Sequence, residues 1–290
     1  MATGPSLKAI RSHRLLVPSA IGALALAPAL ALGASAGAQD ADQTTSAPVT
    51  TADSPSGEPM PEGDLPGWKQ IFAEDFTTDA PLGEFPGEAY GDTWDVYPDG
   101  WNDTSGNGTY MPSKVVSVAN GVLNKHLHTE EGVHMVAALL PKLPGTDNGQ
   151  TYGRYDVRFK ADPVPLYKTA WLLWPDSEQW PDDGEIDFPE GNLDGNISAF
   201  MHYANPAGGQ DEFSTDATYT DWHTATIEWT QDKVVFILDG EEVGTSTTDV
   251  PSNPMHQVIQ TETCLGDCGP PSDDAEGNVQ IDWVVAYAPQ

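Results

Sequence analysis

From Trp68 onward the sequence is a series of short apolar runs separated by turn-forming residues, and none of it sustains a helical period. KQIFAEDF, SKVVSVANGVLNKHLH, HMVAALL, YGRYDVRFK, KTAWLLW, EIDF, NISAFMHY, WHTATIEW, KVVFILDG and VQIDWVVAY are rich in the β-branched and aromatic residues that suit a pleated surface. Asn120-Gly121 and Asp239-Gly240 sit between or beside such runs as tight-turn pairs. No internal repeat is visible. Many short strands with regular turns predict an all-β domain built as a two-sheet sandwich.

Within that series one stretch, Trp180 to Gly191 (WPDDGEIDFPEG), carries chemistry. An ideal strand alternates its side chains, so Glu185 and Asp187 share a face, while Glu190 should point the other way. A one-residue bulge would convert the odd spacing into an effective four, and Pro189, which has no N–H for a ladder, is a residue that bulges tolerate. All three carboxylates would then line one face. Two carboxylates held close serve a retaining glycosidase: one attacks the anomeric carbon, and the other protonates the leaving oxygen and later activates water. Glu185 and Glu190 fit those roles. Asp187, between them, makes it costly for all three to ionise together, so a proton is retained at neutral pH. The competing reading is an acidic strand edge in a chain with 44 Asp and Glu.

EIDFPE resembles the E-x-D-x-x-E signature of glycoside hydrolase family 16 in its bulged form, as in laminarinases, agarases and carrageenases; the lichenase branch lacks the extra residue. TYGRYDVRFKA (Thr151 to Ala161) resembles the family's strand before the active site, and KTAWLLWP its aromatic approach strand. WHTATIEWTQDKVVFILDG (Trp222 to Gly240) is similar to the hairpin after it, and IDWVVAY to the closing strand. The resemblance implies a concanavalin-like β-jelly roll with a concave substrate cleft. It also implies roles for single residues: Trp180 under the sugar beside the nucleophile, Arg154 near the cleft, His202 facing the catalytic pair, and Gln260 where relatives often carry Asn. Asp282 matches the position from which family members hold a structural calcium. Catalysis itself is expected to need no cofactor.

Other aromatic residues are candidates from the sequence alone. Trp171 and Trp174 lie three apart on one strand, so they face opposite sides, and parity does not choose which enters the cleft. Trp101, in the loop PDGWNDTSGNG, reads either as a platform at the rim or as a ring packed by its own loop. Arg154 reads equally as a structural bridge to Asp156. Histidines 126, 128, 134, 223 and 256 form no zinc-like cluster with the cysteines.

Composition places the domain. The formal net charge is -32; Lys8, Arg11 and Arg14 precede every acidic residue, which leaves the chain after Ala38 with 9 basic against 44 acidic residues, or -35. Such a chain repels nucleic acid and anionic membranes but not a neutral polysaccharide. Residues 1–38 read as a secretory signal, with Leu15 to Leu32 as its apolar part and Ala36-Gly37-Ala38 as the cleavage site; the alternative is a retained anchor. Residues 39–66, rich in Ser, Thr, Pro and acids, read as a disordered linker, and 67–290 as the catalytic domain. Cys264 and Cys268, the only cysteines, are expected to form a disulfide in an exported chain. The expected function is a secreted, monomeric, endo-acting retaining hydrolase of β-glucan, with β-1,3 linkages preferred. The alternatives are a galactan hydrolase or transglycosylase on the same machinery, and a non-catalytic carbohydrate-binding sandwich.

Overall fold

The computed structural model describes residues 54–146, 149–264 and 268–290; the expected signal at 1–38 and linker residues 39–53 lie outside them. Two antiparallel sheets face each other, and the only helices among the described residues are the single turns Gly87–Tyr90 and Pro112–Val115. The seven-stranded sheet runs, in spatial order, Gln210–Thr218, Asn196–His202, Glu185–Asn192, Tyr167–Pro175, Met255–Thr263, Ala138–Pro141 and Trp94–Val96. The eleven-stranded sheet is centred on Gly153–Ala161 and Gly277–Pro289, with His223–Trp229 and Val122–Glu130 outside them. Among the described residues its one parallel pairing joins Gly108–Tyr110 to Val133–Val136. This is the expected jelly-roll sandwich.

The turn pairs behave as their chemistry requires. Asn120 and Gly121 have φ of 54° and 76° and close a hairpin in which Ala119 opposes Val122; Asp239 and Gly240, at 52° and 84°, do the same between Leu238 and Glu241. Both residues of such a turn need positive φ, which Asn, Asp and Gly reach with little strain.

Between the sheets, inward side chains from both layers interlock. Phe159 of the larger sheet meets Trp171 of the smaller at 4.9 Å between ring centres, and Phe188 meets Phe236 at 5.6 Å. The chain changes sheets at Ala137, between Val133–Val136 and Ala138–Pro141. Lys125, fully buried, reaches into this crossing and donates from Nζ to the carbonyl of Ile259 at 2.6 Å. Burial pushes its pKa well below the ordinary lysine value.

Residues 54–66 are ordered, contrary to the expectation for the linker. Ser54 Oγ and the Ser56 N–H donate to Asp282 Oδ2 at 2.7 and 3.1 Å, Glu58 pairs with Arg158 at 3.1 Å, and the Trp283 indole donates to the Glu58 carbonyl. Met60 and Leu65 cover Trp283, Val285 and Tyr287 on the outer face of the larger sheet. Sequence composition missed this because the segment has few apolar residues of its own; it orders by covering aromatic residues that the closing strand turns outward.

Candidate active site

The bulge is present. Asp187 opposes Phe200 and Glu190 opposes Ser198, so three steps along Glu185–Asn192 match two along its neighbour; on the other side Leu172 opposes Asp187 and Ala170 opposes Glu190. Phe188 turns into the core against Phe236, which leaves Glu185, Asp187 and Glu190 on the outer face of the seven-stranded sheet. The first two are fully buried and Glu190 is nearly so.

His202, opposite Glu185 in register, brings Nε2 to 3.1 Å from Asp187 Oδ2 and 3.9 Å from Glu185 Oε2. Asp187 has its pKa raised well above the usual carboxylate value, first by burial and then by the charges of Glu185 and Glu190, with His202 opposing. The cluster therefore resists ionising all three carboxyls together, and a proton is retained within it. Trp180 stands edge-on to His202, 6.1 Å between ring centres, and packs partly buried beside it.

Strand parity settles the tryptophans. Leu172 opposes Asp187 and Trp174 opposes His256, so Trp174 lies on the acids' face, where its indole donates to Glu178 at 3.3 Å. Trp171 points into the core against Phe159 and is 1% exposed, so it is no part of the site. Arg154 is also displaced from the expected place. It belongs to the eleven-stranded sheet, whose inward residue at the next position is Tyr155, and it points outward to Asp156 at 3.0 Å and to Glu228. It is the structural bridge. Trp101 packs on Tyr97, which meets Tyr110 edge-on, so it joins the site's margin at second hand.

Gln260 is on the acids' face opposite Ala170, but Oε1 accepts from the Tyr110 hydroxyl at 3.2 Å. Asp282 lies on the far sheet, where two donors from residues 54 and 56 aim at one oxygen. That pair satisfies one oxygen of the carboxylate. Cys264 and Cys268 are bonded to each other, as expected; residues 265–267 lie outside the described ones.

The sequence reading missed a second layer beside Glu190. Lys168 Nζ lies 3.1 Å from Glu190 Oε1 and 3.5 Å from Glu262 Oε2, linking three adjacent strands. Glu262, 1% exposed, is held by the Tyr110 hydroxyl at 2.7 Å and by the Thr104 N–H and hydroxyl. Asp103 organises the loop that presents Thr104, accepting from the N–H groups of Gly106, Gly108 and Thr263. The available signal was a lysine near the start of a largely apolar strand, on the same parity as Ala170 and Leu172. A carboxyl pair with one member buttressed by a cation, and between them a third carboxyl whose pKa is raised, is equipped for nucleophilic attack and proton transfer at one carbon centre.

Residues 142–285 match the family model described as glycosyl hydrolases family 16. Among solved structures, the catalytic domain of an endo-1,3-β-glucanase (laminarinase) from Thermotoga petrophila RKU-1 is 18% identical with a TM-score of 0.59, covering 77% of this chain and 98% of that one. A LamA variant from Z. galactanivorans in complex with laminaritriose and laminaritetraose is 20% identical with a TM-score of 0.60, covering 76% and 98%. The Bacillus licheniformis β-glucanase is 18% identical with a TM-score of 0.59, covering 78% and 100%. These likenesses are of fold. Among curated protein sequences there is no match.

Proposed function

Residues 142–285 belong to glycosyl hydrolase family 16, and from that premise we propose that the protein is a retaining endo-β-glucanase acting on β-1,3-linked glucan. The observation that carries the reading is the bulge, which turns Glu185 and Glu190 to one face of one strand with Asp187 between them. In the first step Glu185 attacks the anomeric carbon, the bond to the leaving oxygen breaks, and that oxygen takes the Glu190 proton. Lys168 then stands beside the carboxylate that Glu190 has become. In the second step Glu190 takes a proton from water, the water oxygen bonds to the anomeric carbon, and Glu185 leaves. Asp187, on the same face between the two glutamates, stands beside the nucleophile as it departs. Trp174 and Trp180 offer apolar faces to pyranose rings.

The β-1,3 preference draws support from the laminarinase likenesses, one of which holds laminarin oligosaccharides. Export through the Met1–Ala38 signal belongs to the same reading, and the Cys264–Cys268 disulfide is consistent with an oxidising compartment. We expect a single chain to act alone. Incubation with laminarin, mixed-linkage glucan, agarose and galactan tests the reading through product size and linkage. Laminarin should yield short oligosaccharides, and Glu185→Gln should lower turnover by roughly 10⁴-fold or more at an unchanged melting temperature. Cleavage of agarose or galactan alone would replace the substrate; full activity in Glu185→Gln would remove the assignment.

A further inference from the structure

Glu185, Asp187 and His202, besides their place on the acids' face, have the spacing of metal ligands. One ligating atom from each lies within 4.8 Å of the others. His202 Nε2 is 3.1 Å from Asp187 Oδ2 and 3.9 Å from Glu185 Oε2. A tetrahedral zinc with bonds of about 2.1 Å to nitrogen and oxygen sets its ligand atoms about 3.4 Å apart. The three side chains therefore stand close to the spacing of three corners of such a shell, without rearrangement of the strands that carry them. A second observation points to a cation independently of spacing: Asp187 is fully buried, and its Oδ1 accepts no hydrogen bond. A buried carboxylate oxygen left in that state is costly unless an ionic partner or a proton satisfies it. The His202 side chain is 13% exposed, so the trio is not sealed from solvent.

We propose that this trio is a binding site for a borderline transition-metal ion, Zn²⁺ or Cu²⁺, with His202 Nε2, Asp187 and Glu185 as its protein ligands. One imidazole and two carboxylates suit these ions. Calcium asks for six to eight oxygens, and magnesium for a near-ideal octahedron of oxygen ligands and water, neither of which three such groups provide. Binding releases the protons carried by the ligands, because metal ligands must be deprotonated. Since one ligand is Glu185, occupancy and attack on a glycoside exclude each other. This last consequence rests on the proposed function, whereas the site itself rests on the geometry alone.

The test uses metal-free mature protein and isothermal titration with ZnCl₂, and separately with MgCl₂ and CaCl₂. One Zn²⁺ per chain should bind, with no comparable heat from the other two. Co²⁺ in place of zinc should give the visible absorption of a four-coordinate site. His202→Gln should weaken zinc binding by roughly tenfold or more and remove the cobalt bands, while Glu190→Gln, which loses no ligand, should bind zinc as the parent does. Circular dichroism of each variant confirms folding, and Asp187→Asn gives a second ligand deletion should His202→Gln not fold. Equal zinc affinity in the ligand variants, equal binding of magnesium, or no binding at millimolar zinc would each overturn the site. If laminarin is a substrate, zinc should abolish its cleavage and a chelator should restore it. A protein that binds zinc at this trio yet cleaves no glucan would leave the site standing and the glucanase reading fallen.

Discussion

Asp187 shows how a single side chain takes its character from neighbours rather than from its own chemistry. Burial and the flanking carboxylates raise its pKa well above the usual value, so the folded state holds a proton that the unfolded chain has released. Its contribution to stability is therefore present below the ordinary aspartate value and is lost as pH rises through the raised one. Asp187→Asn removes that dependence. Thermal melts from about pH 4 to about pH 8 should show the variant gaining on the parent as pH rises, while its activity is lower throughout. A parent that gains on the variant with rising pH would mean that Asp187 is ionised and paired. At this scale the sequence was informative where spacing decides orientation and silent where partners do. Glu185, Asp187 and Glu190 could be placed from parity and one bulge. Arg154 could not, because an arginine beside two acids on the opposite sheet has the same sequence pattern as one in a cleft. Trp171 and Trp174 needed only the direction of the core, which Phe159 supplies.

The strand Glu185–Asn192 is the element on which the account depends. Its bulge absorbs one residue between Asp187 and Glu190, and the ladder resumes on both sides without slipping. Deleting Pro189 should regularise the strand and keep Glu190 opposite Ser198, so the fold survives. The carboxyl is re-aimed, however, and a misplacement of about 1 Å can cost about 100-fold in rate. Inserting a glycine after Pro189 should instead turn Glu190 towards the core, abolishing activity and lowering stability, because a one-residue slip exchanges the two faces. Activity measured beside melting temperature separates the two, and unchanged activity after the insertion would refute the bulge as the positioning device. Turns were equally legible, since Asn120-Gly121 and Asp239-Gly240 have few other uses. The layer formed by Lys168, Glu262, Tyr110 and Thr104 was not legible, because it joins residues up to 158 positions apart that only the sheet order makes neighbours.

For the whole molecule, the sandwich is closed on its outer face by residues 54–66, which a reading of composition assigns to a linker. Truncation to residues 67–290 uncovers Trp283, Val285 and Tyr287 and leaves Asp282 and Arg158 without Ser54, Ser56 and Glu58. Met60 and Leu65 are partly buried there, so each contributes less than the roughly 1.5–3 kcal/mol of a fully buried side chain of that size, and the truncated domain should melt a few degrees lower than residues 54–290 while cleaving substrate at the same rate per folded molecule. Equal melting temperatures would return the segment to the linker. The acids' face and the strapped face belong to opposite sheets, so stability can be altered at one without reaching the chemistry at the other. The central claim is that chemistry: Glu185 as nucleophile and Glu190 as acid and base, held on one strand face close enough for a covalent glycosyl intermediate. Proton NMR of the earliest product from laminarin tests it most directly. The account predicts the β anomer first, with the α anomer growing in only by mutarotation; an α anomer at the outset would mean direct displacement by water and a different pair of carboxylates.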